Sequence, residues 1–216
     1  MLLDVSGIDK SAVERIFGLY DGEMAFSVAF NDATNKEHDA LKAKGSGADR
    51  IACWFRGTAI GNKGAGLVSK QINYDWSRGQ DGSLAGTIQL LGNGYGLEYG
   101  DQLTAGKRTD TTATNGASQD NLASSVSGWS AYLHVFAFAG TSVTVTIQES
   151  SDNGGGDPFA GITGGAFAAV AVAPATERIK SAALTTAVER YVRAVTTGTF
   201  SNAVFAVLFT RNPVTL

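Results

Sequence analysis

Cysteine, histidine and proline are all scarce in this chain, and each scarcity excludes something. One cysteine, Cys53, among 216 residues rules out an intrachain disulfide, and with only two histidines little is left from which to build a zinc site. Cys53 lies in the apolar run Ile51 to Phe55, the setting of a buried inert thiol rather than a nucleophile. No apolar run is long enough to cross a bilayer as a helix, and the start of the chain lacks the basic-then-apolar pattern of a signal peptide. The protein is therefore expected to be soluble, without a membrane span and not classically secreted. Positive charge is not in excess either: 17 lysines and arginines against 20 aspartates and glutamates give a formal charge of -3. That weighs against gripping nucleic acid by phosphate neutralisation, while a weakly acidic wall would let DNA slide past.

Glycine is abundant instead, with 27 residues against three prolines, spread without a collagen period as in a chain of many turns between short strands. The chain is long enough for two domains of about 100 residues each or one larger β unit. Its most informative stretch is Leu67 to Leu91. Leu67, Ser69, Gln71 and Asn73 interleave with Val68, Lys70, Ile72 and Tyr74, the period of a strand with one packed face. A second strand runs from Leu84 to Leu91, and between them Asp75 to Ser83 is dense in turn formers. This reads as a long hairpin with Trp76 exposed at its tip, a partner surface rather than a catalytic pocket.

Upstream, strands are expected at Leu2 to Ile8, Ile16 to Tyr20 and Glu23 to Phe30, with Asp21-Gly22 as a two-residue hairpin turn. One helix is expected from Asn31 or Thr34 to Lys44, with Asn35 as its cap and His38 on its solvated face. Gly57 to Gly66 carries four glycines, but their spacing fits no phosphate-binding motif, so it reads as an ordered or assembly-dependent loop. From Asp101 to Ser127 the chain turns polar and small, as in a linker or arm. Beyond it, strands are expected at Trp129 to Phe138, Ser142 to Glu149, Ala166 to Val172, Glu177 to Ser181, Tyr191 to Thr197 and Ala203 to Phe209, a spacing typical of an antiparallel sandwich. The fold expected is mainly β: an antiparallel β-sandwich or barrel with one short helix over 1–100, a linker or arm over 101–127, and a second sandwich of immunoglobulin-like or jelly-roll class over 128–216.

No catalytic constellation emerges. His38 and His134 stand apart from any nucleophile, and no cofactor motif is present. Asp152 to Asp157 places oxygen ligands in a glycine-rich loop, yet it lacks the full calcium loop with its terminal glutamate, so a plain turn is the reading. Trp129, Tyr132 and Tyr191 are candidates to stack on a sugar ring, set against a place in the core.

Several runs together resemble a known family: Gly18 to Phe26, Asn31 to Leu41, Phe55 to Gly61, Ser69 to Asp75, Gly79 to Ser83 and Asn93 to Gly100, followed by Gln102 to Thr111 and the Val143 to Gln148 strand. They are similar to the major tail (tube) proteins of long-tailed bacteriophages, and the likeness covers nearly the whole chain. Its motifs are structural rather than catalytic. The resemblance implies stacked hexameric rings of a tail tube with genomic DNA passing through the lumen, contacts to other tail or capsid proteins, and a virion location after assembly in the host cytoplasm. It places Ser69, Lys70, Gln71, Ile72, Asn73, Tyr74, Trp76 and Arg78 on a hairpin that lines or joins the tube. Asn62 and Lys63, with Lys107 and Arg108 in the stretch after Gly100, become inter-ring contacts, and the second sandwich an outward decoration that touches host-surface glycans at most weakly. A capsid decoration or tail-tip protein and a non-catalytic carbohydrate-binding module are the alternatives.

Overall fold

The computed structural model describes residues 2–4, 15–17, 21–34, 36–42 and 47–211. Two short strands, β1 (Leu2–Asp4) and β2 (Arg15–Phe17), pair with each other. The remaining elements are β3 (Glu23–Ala29), α1 (Glu37–Leu41), β4 (Arg50–Phe55), β5 (Lys63–Arg78), β6 (Leu84–Gly92), β7 (Glu98–Gln102), β8 (Arg108–Asp110), β9 (Gln119–Asp120), β10 (Trp129–Ser150), β11 (Ala160–Ala166), β12 (Ala175–Lys180) and β13 (Tyr191–Arg211). All strands from β3 onward belong to one 11-stranded sheet, ordered β11-β10-β13-β7-β5-β6-β3, with β12 beside β10, β4 beside β5, and β8 and β9 beside β13.

This single continuous antiparallel sheet corrects the expectation of two separate sandwiches. The misreading came from β10 and β13. Trp129 to Phe138 and Ser142 to Glu149 are not two strands but one, as are Tyr191 to Thr197 and Ala203 to Phe209. β10 and β13 pair from Trp129–Arg211 to Ser150–Tyr191, with register shifts near Phe136, Gly140 and Thr141. Gly140 has φ 148° and Gly198 φ 121°. A Cβ on Gly140 would collide with Phe200, and one on Gly198 with the Ser142 carbonyl. These glycines bend the ribbon without interrupting its ladder. Ala131, Leu133 and Val135 from the first half of β10 join Val143, Val145 and Ile147 from its second half in one buried cluster with Val192, Ala194, Phe205, Val207 and Phe209 of β13. Each large apolar side chain in that cluster stabilises by about 1.5–3 kcal/mol.

The 101–127 stretch, expected as linker or arm, also has another role. It runs antiparallel along β13 as an interrupted strand: Asp101 opposite Phe209, Arg108 opposite Phe205, Asp110 opposite Ala203, and Asp120 opposite Tyr191. Between these, Thr114 and Gly116 donate N–H groups to the Thr196 and Ala194 carbonyls. Polar side chains of the stretch add to the backbone bonds, Arg108 donating to the Ala194 carbonyl at 2.8 Å and Thr104 Oγ1 accepting the Val207 N–H at 3.2 Å.

By compactness the chain divides into one unit of 1–50, 67–97 and 214–216 and another of 51–66 and 98–213. In the first, β3 alternates as expected, with Met24, Phe26 and Val28 turned inward. It pairs with β6, from Glu23–Leu91 to Ala29–Ala85, while β2 pairs with β1; residues 18–20, which the expected Asp21-Gly22 hairpin would set against β3, lie outside those described. The β5–β6 hairpin forms with a shorter loop than expected, since Asp75 to Arg78 continue the strand and only residues 79–83 turn. The helix keeps only five residues, with no side-chain cap and no buried residue; Asn35 and residues 43–44 lie outside those described.

Candidate functional site

The sheet ends at β3, whose outer edge pairs with no other strand among the described residues. Its ladder to β6 fixes which groups are spare. Phe30 N–H donates to the Leu84 carbonyl, and Gly22 accepts from Gly92 N–H. In an antiparallel pair every second residue bonds inward, so Glu23, Ala25, Ser27 and Ala29 point their backbone N–H and C=O groups outward. The strand reads EMAFSVA, with one charge at its start and no lysine or proline, the devices that usually blunt an edge.

Beside it stands the predicted assembly hairpin, and six of its eight candidate side chains turn onto the chain's own residues. Ser69 Oγ donates to the Arg50 carbonyl at 3.0 Å, and Gln71 Nε2 to the Leu41 carbonyl at 2.8 Å. Lys70 pairs with Asp49 at 2.8 Å and also reaches the Gly47 carbonyl. The Lys70 ammonium and then the Asn93 amide hold the Asp49 carboxyl below the usual range. A bulge between Gln71 and Asn73 leaves Ile72 unpaired and exposed, and Asn73 Oδ1 accepts the Gln89 N–H at 2.6 Å in compensation. Arg78 stays exposed at the strand end.

Trp76 is not an exposed tip residue. Its ring lies over Gly86 and meets Tyr74 edge-on at 4.7 Å and Phe30 at 5.0 Å between centroids. His38 completes the group, 4.9 Å from the Phe30 ring, with Nδ1 3.2 Å from the Tyr74 hydroxyl. The histidine expected on a solvated helix face thus pins α1 to the hairpin. Four aromatic rings at such spacing add about 0.5–1.5 kcal/mol per pair beyond area burial. Nothing in the helical pattern announced this, because Tyr74, whose hydroxyl meets the imidazole, lies 36 residues further along the chain.

The two loops proposed for inter-ring contact meet each other. Gly61 N–H donates to the Gln102 carbonyl and Gln102 N–H to the Asn62 carbonyl, both at 2.9 Å, and Lys63 Nζ pairs with Asp101 at 2.6 Å. Lys107 lies 4.4 Å over the exposed Phe136 ring. Arg108 is taken up internally, by the two Asp110 oxygens at 2.8 and 2.7 Å and by the carbonyls of Ala194 and Thr114.

Of the three residues proposed to stack on sugar, Trp129 and Tyr132 are fully buried, and Tyr191 is half-buried beneath the Arg190 guanidinium. Tyr132 belongs to a buried polar group: its hydroxyl donates to Glu98, as does Ser130 Oγ at 2.9 Å, and Arg178 binds both Glu98 oxygens at 2.6 and 2.9 Å. Burial and the Glu98 carboxylate push the Tyr132 hydroxyl up, and the same two causes in the same order raise the Cys53 thiol. Burial alone takes His134 down to about 4, so its imidazole is neutral at pH 7. Asp152 folds the 152–157 loop around itself, accepting N–H groups from Gly155 at 2.9 Å, from Gly156, and from Asp157 at 3.2 Å. Those bonds, the one from Gly156 foremost, hold its carboxyl low. Among the described residues no three of His, Cys, Asp and Glu gather as a metal would require.

The sequence reading passed over β3 as an edge, and it passed over Trp54 and Tyr99, both of them exposed. Strand alternation would have found Trp54, since it stands opposite to its neighbours Cys53 and Phe55. No family model, curated protein or solved structure matches the chain.

Proposed function

We propose that this chain is a self-assembling structural subunit of a bacteriophage-type tail tube, in which copies add strand to strand and close into rings that stack around a lumen for DNA. The observation that carries the reading is the outer edge of β3, unpaired among the described residues, with four outward backbone positions and small exposed side chains at Ala25, Ser27 and Ala29. Such an edge is a template for another strand, and a head-to-tail contact that closes on rotation makes a ring. The net charge of -3 suits a lumen that does not hold DNA. The likeness of Ser69 to Asp75 and Asn93 to Gly100 to tube proteins supports the tail assignment, and with it a virion location.

The test is Ser27→Pro, which removes an outward N–H without touching the ladder to β6. Wild-type protein should form rings or tubes with rising concentration by electron microscopy and sedimentation. The variant should remain a folded monomer with an unchanged circular dichroism spectrum. Assembly that proceeds equally well in the variant would remove β3 from the interface.

A further inference from the structure

We infer that the side of β4, β5 and β7 that carries Trp54 and Tyr99 binds an extended oligosaccharide. The register places the two rings. Lys63 stands opposite Asp101 and Ala65 opposite Tyr99, while Arg56 N–H donates to the Lys63 carbonyl at 3.0 Å, which two residues along an antiparallel hairpin sets Trp54 opposite Ala65. Directly opposed side chains share a face. Trp54, Ala65 and Tyr99 therefore form one row across three strands, two exposed aromatic residues on either side of the buried Ala65, their strands about 10 Å apart, two inter-strand spacings. That is roughly the span from one pyranose ring to the next but one. Tyr99 is 74% exposed and Trp54 50%, although the chain buries Trp129 and Tyr132 completely.

The polar half of a sugar site is present as well. Beside Tyr99 lies a groove of about 360 Å³ lined by Lys63, Asp101, Asn121, Phe209 and Arg211. Phe209 gives it an apolar floor. Lys63 Nζ and Asp101 Oδ1, 2.6 Å apart, set a donor and an acceptor side by side where vicinal hydroxyls would lie. Arg211 is held by its Nη atoms, which donate to the Ala123 and Glu189 carbonyls, but its enclosed Nε meets no acceptor among the described residues. Aromatic faces with a few convergent polar groups match the C–H faces and hydroxyls of a carbohydrate.

The test titrates the 216-residue chain with cellohexaose, chitohexaose, maltohexaose and hexagalacturonate, followed by calorimetry and amide chemical shifts. At least one should bind at micromolar to low-millimolar concentration, and Tyr99→Ala and Trp54→Ala should each weaken it about tenfold or more, with Tyr191→Ala as an indifferent control. Both target side chains are exposed, so the variants should fold. No response to any of the four probes, or binding indifferent to both substitutions, overturns the inference. So does a Tyr99→Ala variant that loses self-association instead, which would make this face a contact between copies.

Discussion

Arg178→Met tests how much of the fold hangs on its buried charge pair. The Arg178 and Glu98 side chains are 5% and 1% exposed. The substitution removes two hydrogen bonds to the Glu98 carboxylate, at 2.6 and 2.9 Å, and one of 3.2 Å to the Tyr132 hydroxyl, leaving the carboxylate with the Ser130 and Tyr132 hydroxyls. Breaking one side of a buried pair costs about 3–5 kcal/mol, because the remaining charge stays desolvated. Against a total stability of about 5–15 kcal/mol, the variant should be folded but weakened. In urea, the midpoint should fall by roughly 1–2 M for a slope of about 2–3 kcal/mol/M. Adding Glu98→Gln to Arg178→Met should restore most of the loss, since a neutral amide needs no counter-charge. A single-variant loss below about 1 kcal/mol, the range of exposed pairs, or a double variant no better than the single, would refute the reasoning.

A second prediction concerns acid. Because His134 is held near 4 in the folded chain, the unfolded chain takes up its proton first. Stability contributed by the neutral imidazole is full above an unfolded pKa of about 6.5 and is lost as pH falls from there toward 4, by about 3 kcal/mol at ~1.4 kcal/mol per unit. Urea midpoints across pH 4–7 should show this slope flattened in His134→Gln. A third prediction concerns Gly66→Ala, which would set a Cβ 2.6 Å from the Tyr132 ring. Displacing a packed ring costs about 1–3 kcal/mol; an unchanged melting temperature would show that the ring yields freely.

The legible parts of the fold were those with local signals. β3 and β6 alternate over seven and nine residues, and the hairpin loop is a cluster of glycine, aspartate and serine. β10 and β13 were cut in two on paper because Gly140 and Gly198 look like turns, whereas a bulged strand bends and keeps pairing. The 101–127 stretch looked like a linker because its side chains are polar and small. Trp129 and Tyr132 were plausible surface aromatics until the other side of their strand was covered too: both faces of β10 are buried between Trp129 and Leu133, which alternation alone cannot signal. The His38–Tyr74 contact and the Glu98–Arg178 pair were hidden for another reason, since the two residues of each are distant in sequence.

The 22-residue β10 also sets a timetable for synthesis. Its apolar residues leave the ribosome well before β13, the strand that pairs with it from end to end, and the match for its first residue, Trp129, is Arg211. At about 5–20 residues per second the nascent chain carries β10 without its partner for several seconds. The core that gathers both halves of the ribbon cannot close until β13 has been made. During that interval β10 is the segment most in need of a chaperone, and a ribosome stalled between its end and Arg211 would hold a sticky strand rather than a half-built domain.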